Sequence, residues 1–290
     1  MRFVIGLLVA IAVALALVAA ATRRFHRRID GEARALLLGA RAAPSPAVEA
    51  SELGRLPPPV RRWLEASGAV ERPRAATVRL KQQGAMRTAP DKPWSPFVAE
   101  QYFSVDPPGF VWGVDVKMMR VLPFSGRDLY LAGRGNMLIK AASLATVADG
   151  KGPEIDQGAM LRFLGEMIWF PSGVLSDYVT WEGIDDRHAR ATMRYGGVNA
   201  SAVFEFDGSD RFVGLTADRF MSGAAPRLEK WQIRVTDWRT IRGIEIPVQG
   251  DVLWKLPEGD FDYFRFRISD LEANHPALYR DQPDALAESR

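Results

Sequence analysis

From Thr77 to Glu272 apolar residues return at every second position, run after run, and one long stretch alone breaks that period. A period of two belongs to strands with one buried face. Candidate strands are Thr77 to Met86, Phe97 to Val105, Phe110 to Met119, Asp128 to Arg134 and Met137 to Val147. After the break come Asp177 to Gly183, His188 to Tyr195, Val198 to Asp207, Arg211 to Met221, Leu228 to Trp238, Ile244 to Trp254 and Phe261 to Glu272. The separators, among them Pro107-Pro108-Gly109, Ser125-Gly126, Gly133 to Asn136, Gly196-Gly197 and Asp207-Gly208, are turn signals, and such short links make neighbours antiparallel. About a dozen strands in series must close into a barrel or curl around something apolar, because an open edge invites pairing with another chain.

The break, Gly152 to Leu175, supplies the filling. At helical spacing Ala159, Met160, Leu161, Phe163, Leu164, Met167 and Ile168 cover about half the surface, with Arg162 and Glu166 marking a narrow polar strip. Pro153 fits a first turn, Glu154 and Asp156 place negative charge at the positive end of the dipole, and Pro171 cannot continue the helix. The expected fold is therefore mainly β: a large antiparallel, half-open β-barrel wrapped around a central amphipathic helix over 153–169, preceded by one transmembrane helix. Phe110, Trp112, Val114, Val116 and Met118 make one apolar face, while Asp115 and Lys117 mark the other as wet. Phe261, Tyr263, Phe264 and Phe266 put aromatic rings on both faces of the last strand, which predicts burial on both sides or the wall of a cavity.

Phe3 to Ala21 is an unbroken apolar run, and at about 1.5 Å per residue it nearly spans a hydrocarbon core of about 30 Å. A cleaved signal peptide is the alternative, since Ala19 and Ala21 offer a small-residue cleavage pattern. Only Arg2 precedes the run, while Arg23, Arg24, Arg27 and Arg28 follow it, which argues for an uncleaved anchor in the cytoplasmic membrane. The same asymmetry places the body on the cytoplasmic side, with the outward orientation as the alternative. The chain divides into an anchor (1–22), a basic stalk with a Pro/Ala linker (23–55), the β domain (56–275) and a polar tail (276–290). Leu56-Pro57-Pro58-Pro59 leads into a short helix whose Trp63 is expected to pack on the domain.

Composition excludes several chemistries. Lysine plus arginine (38) barely exceeds aspartate plus glutamate (35), so no nucleic-acid partner is implied. With no cysteine, disulfides and thiolate chemistry are absent, and His26, His188 and His275 stand too far apart in sequence to read as metal ligands. No cofactor fingerprint or serine elbow occurs. The polar residues set among apolar ones are the informative remainder, because an unpaired buried charge costs several kcal/mol. Gln101, Trp112, Arg134, Lys140, Asp156, Gln157, Phe163, Glu166, Trp169 and Phe264 are the candidate ligand contacts, with Arg219 and Arg265 on strands of unknown facing. They fit a site for a hydrophobic or amphiphilic, lipid-like ligand. An enzyme using Asp156 and Glu166 on a membrane-derived substrate, and a partner-binding module, are the alternatives.

The segments Leu56-Pro-Pro-Pro-Val-Arg-Arg-Trp-Leu64, Trp94-Ser-Pro-Phe97, Gln101-Tyr-Phe103, Gly109-Phe-Val-Trp112, Gly133-Arg-Gly135 and Gly152 to Pro171 carry a resemblance. Together they resemble an uncharacterised bacterial family, a domain of unknown function often preceded by one membrane span, over Leu56 to Asn274. The resemblance brings no activity and no catalytic residue. In architecture, strands in series with a helix laid across them look like the lipoprotein carriers LolA and LolB, which hold acyl chains in an open barrel. Those carriers work outside the cytoplasmic membrane, whereas the arginine asymmetry places this body inside.

Overall fold

The structure is a computed structural model that describes residues 2–41, 47–118, 122–221 and 227–281. Part of the Pro/Ala linker (42–46), Met119 of the third expected strand and the end of the polar tail (282–290) lie outside the described residues. All strands among the described residues join one sheet. In chain order they are β1 (Thr77–Met86), β2 (Ser95–Ser104), β3 (Gly109–Met118), β4 (Leu122–Leu131), β5 (Arg134–Ala141) and β6 (Ala145–Gly150), then β7 (Val179–Gly183), β8 (His188–Tyr195), β9 (Val198–Phe206), β10 (Phe212–Met221), β11 (Arg227–Ile241), β12 (Ile244–Leu256) and β13 (Gly259–Ala273). The spatial order is β6-β5-β4-β3-β2-β1-β13-β12-β11-β10-β9-β8-β7, antiparallel throughout. Two meanders are thus zipped together by the first and last strands, β1 with β13.

The helix α3 (Pro153–Glu166) lies in the concavity with β4 and β5 on one side and β8, β9 and β10 on the other. Its Met160, Leu161, Phe163 and Leu164 are fully enclosed, and the chain continues through 3-10 turns in which Trp169 and Phe170 pack on Phe103 and Phe266. Curling brings the two wings together: Gly133, in the β4–β5 turn, sits so close to Gly196, in the β8–β9 turn, that a Cβ on Gly133 would come within 2.8 Å of it. The short helix α2 (Pro58–Ala66) plugs one side, with Trp63 against Phe206 and Phe212.

Three details differ from the sequence reading. Ser125-Gly126 is no turn but the middle of β4, where Ser125 is buried and donates to Asp115 at 2.7 Å. Met137 to Val147 divides into β5 and β6 at a hairpin where Ala142 and Ser143 take left-handed backbone, a conformation that an alternating pattern does not announce. On β13 a bulge leaves Tyr263 as an extra residue, so Phe261, Phe264 and Phe266 share the concave face. The aromatic rings that read as two-sided are therefore largely one-sided.

The largest correction concerns the outer face of the sheet. The helix α1 (Arg2–Gly39) is continuous; its apolar first half is exposed and long enough to cross a membrane, and its second half is no free stalk. Phe25, Ile29, Ala33, Leu36 and Leu37 recur at helical spacing and bury against Tyr102, Val111, Leu138, Leu278 and Tyr279. Gly113 lets the helix approach, since a Cβ there would meet Ile29 at 3.0 Å. Contacts of Thr22 with Ser143, His26 with Asp115, Ile29 with Gly113 and Arg41 with Asp106 show α1 running antiparallel along β3. The face that Asp115 and Lys117 mark as wet is thus covered by α1 along part of β2, β3 and β4, while Lys117 itself stays exposed. The hairpin ends at Met86, Met118 and Ala141 point the way the exposed apolar half projects.

Candidate functional site

The polar strip of α3 is buried rather than wet. Arg162 donates through Nε to Glu166 at 2.8 Å, through Nη1 to Asp128 at 2.7 Å and through Nη2 to Gln101 at 3.2 Å, and Gln101 donates to Glu166 at 2.7 Å. The guanidinium also lies 4.6 Å from the Trp112 ring centroid and 4.9 Å from that of Phe110, while the Trp112 indole donates to Gln82 at 3.1 Å. Burial pushes the Glu166 carboxyl above its ordinary range, opposed by Arg162 and Gln101. Burial works equally against charge on Arg162, but Glu166 and Asp128 outweigh it and hold the guanidinium protonated. Every member has partners, so the network fixes α3 to β2, β3 and β4.

At the other end of α3, Asp156 is buried and accepts from the Gly135 backbone at 2.7 Å and from Arg134 at 2.9 Å. Gln157 donates to the Asp218 carbonyl at 3.0 Å. Asp156 and Glu166 stand ten positions apart on one helix, about 15 Å along its axis, beyond the spacing at which two carboxyl groups work as an acid/base pair. Phe163 is closed in the core, and Trp169 is closed in too, its indole donating to the Pro247 carbonyl. Lys140 faces the outer side, 5.9 Å from the ring of Phe25. Of the ten candidates, Gln101, Trp112, Glu166 and Phe264 are brought together; Arg134, Asp156 and Gln157 gather at the helix start; Phe163, Trp169 and Lys140 join neither group.

Beside the Arg162 edge of α3 the concave wall opens. On β1 and β4 the inward side chains pass from buried (Leu80, Tyr130) to half-buried (Met86, Phe124) toward the hairpin ends next to the apolar half of α1, and on β13 Phe264 is half-buried between the buried Phe266 and Phe261. Phe264 stacks on Phe97 at 4.8 Å and meets Trp112 edge-on at 6.2 Å. The groove continues past Tyr263 to Arg219, which lies 4.8 Å from the Trp231 ring centroid and 5.9 Å from that of Trp254. Sequence reasoning placed no weight on Met86 and Phe124 and read Tyr263 only as one of the rings of a two-sided aromatic strand; the bulge that turns Tyr263 has no clear mark in the chain. Gly158 is a signal that was legible, a glycine one turn before Arg162 on a helix otherwise rich in large residues.

Two further cavities lie away from α3. One of about 60 Å³ sits by Trp169, Phe170 and Ile246. The other, about 320 Å³, is on the outer face under α1, lined by His26, Asp30, Lys81, Glu100, Asp115 and Arg280 among others. There the hydrogen bond to Asp115 raises the pKa of His26 against the effect of burial, and burial raises that of Asp30 against Arg280. Burial alone would raise the Asp115 carboxyl, but hydrogen bonds from His26 and Ser125 hold it low. Ser125 donates to this carboxylate and not to the imidazole. No group of residues suited to a metal ion occurs among the described residues.

A family described as "Family of unknown function (DUF6544)" matches the chain over residues 46–266. No curated protein matches it. Among solved structures it is similar to a LolA superfamily protein from Nitrosomonas europaea, at 12% identity and a TM-score of 0.38, covering 78% of this chain and 95% of that one. It is also similar to a β-barrel-like DUF1849 protein from Brucella abortus, at 12% identity and a TM-score of 0.28, covering 70% and 99%.

Proposed function

We propose that this chain, which belongs to the DUF6544 family of unknown function, is a membrane-anchored protein that takes an amphiphile into the groove beside α3. One observation carries the reading: Met86, Phe124 and Phe264 of the concave wall are left half-buried near the hairpin ends that flank the apolar half of α1. An apolar wall left half-open in water is costly, at about 25 cal/mol per Å², and an acyl chain laid on Met86, Phe124 and Phe264 would remove that cost. The deeper interior is already filled by α3 and its aromatic neighbours, so the ligand lies in the mouth rather than between helix and sheet. With residues 3–21 in the bilayer, α1 holds this mouth close to lipid, and the arginines after the span favour a body on the cytoplasmic side.

Native mass spectrometry of the full chain released from detergent micelles tests this. An amphiphile bound to the wild type is expected to be lost in Phe264→Asp and kept in Val98→Asp, whose side chain is exposed on the outer face. A wild-type spectrum without added mass, after incubation with myristate and with monomyristoyl glycerol, would overturn the reading.

A further inference from the structure

Two arginines reach the groove, and they differ in one respect. Arg162 is held by two carboxylates, Glu166 and Asp128. Arg219 forms no ion pair among the described residues. The carboxylate opposite it in the β10–β11 register, Glu229, is engaged by Arg227 at 3.0 Å, and the adjacent Asp218 pairs with Lys230 at 2.9 Å. What holds Arg219 is aromatic and steric. Its guanidinium lies over Trp231 and near Trp254, and a Cβ on Gly158 of α3 would come within 3.3 Å of its Nε. That Nε is enclosed and has no acceptor, and Nη1 makes only a long bond of 3.4 Å to the Tyr263 hydroxyl, which already accepts from the Trp231 indole at 2.9 Å.

A guanidinium fixed in place, half withdrawn from water and lacking an anion has a strong preference for a planar or tetrahedral oxyanion, which its donors meet as a fork. We propose that Arg219 is the head-group contact of the groove and selects amphiphiles with an anionic oxygen group, a carboxylate or a phosphate monoester, over neutral ones. The acyl part then lies along Tyr263 and Phe264 toward Met86. Gly158 lets α3 pass close to the guanidinium, and Tyr263 and Trp231 set its angle. This assignment rests on the amphiphile reading above and adds to it the chemistry of the head.

The test uses the full chain in micelles and a neutral fluorescent acyl probe, displaced by myristate, by monomyristoyl phosphatidate or by monomyristoyl glycerol, which share one chain length. In the wild type at least one anionic competitor is expected to act at about tenfold lower concentration than the glycerol ester. Which of the two does so separates a free fatty acid from a phospholipid head. Arg219→Gln should bring all three within about twofold while leaving the glycerol ester unchanged, and Arg219→Lys should restore part of the preference. An anionic preference that survives Arg219→Gln, or a wild type with no preference, overturns the assignment and leaves the amphiphile reading standing. A wild type that binds no probe and shows no displacement removes both.

Discussion

At the residue scale the Arg162–Glu166 pair shows how spacing and surroundings part company. The i, i+4 relation is written in the chain and reads as a pair on a narrow polar strip, yet only the curled sheet decides that the strip faces Gln101, Trp112 and Asp128 instead of water. Enclosure changes the energetics. A surface pair of this kind is worth a few tenths of a kcal/mol, whereas removing one partner of a buried pair leaves an uncompensated charge. Arg162→Met should therefore lower stability by about 3–5 kcal/mol, and Arg162→Met with Glu166→Met should recover much of that loss. Urea unfolding of the two variants checks it. A single variant within about 0.5 kcal/mol of wild type would mean that the network is open to water. Asp156 was legible as a helix-start residue, but its bond to the backbone of Gly135 depends on how β5 is placed against the helix.

Among elements, α1 was the one half-read. Its apolar run is evident, but the second stripe, Phe25, Ile29, Ala33, Leu36 and Leu37, is diluted by Arg, Asp and Glu, and so passes for a stalk. Those charges turn out to be placed. Glu32 meets the buried Arg127, Asp30 meets Arg280, Arg34 meets Asp281 and His26 meets Asp115. The His26–Asp115 contact makes the docking of α1 depend on pH. Asp115 raises the pKa of His26, so the imidazolium contribution is complete below about pH 6.5 and is lost as pH rises through the raised value. The carboxyl of Asp115 is held low, so its share is present above the ordinary carboxylate range and is lost as pH falls through the lowered value. Both groups are partly exposed, and Asp30 and Arg280 act on His26 with opposite sign, so the effect is small, at most about 1 kcal/mol. His26→Gln should cost more stability at about pH 5.5 than at about pH 8.5, measured by thermal unfolding in micelles. The opposite order would contradict the contact. Strands were the more legible elements; of the misread places, Ala142-Ser143 is decided by left-handed backbone, and Ser125-Gly126 is a turn-like pair held inside a paired strand.

For the whole molecule, the decisive pairing is β1 with β13, which joins residues almost two hundred positions apart and turns two meanders into one curled sheet. Nothing local announces that pairing; it follows from the need to cover the edges of both meanders and both faces of α3. The direction of the groove is a property at the same scale, set jointly by α1 running antiparallel to β3 and by the loss of cover at Met86, Phe124 and Phe264. Because the chain has no cysteine, one introduced thiol carries a single label. A fluorophore on Phe264→Cys and one on Arg41→Cys, at the far end of the docked length of α1, can be compared with the full chain in nanodiscs whose lipids are brominated on the acyl chain. Lipid chains that enter the groove should quench the label at position 264 and spare that at 41, whereas an unquenched label at 264 would contradict the account.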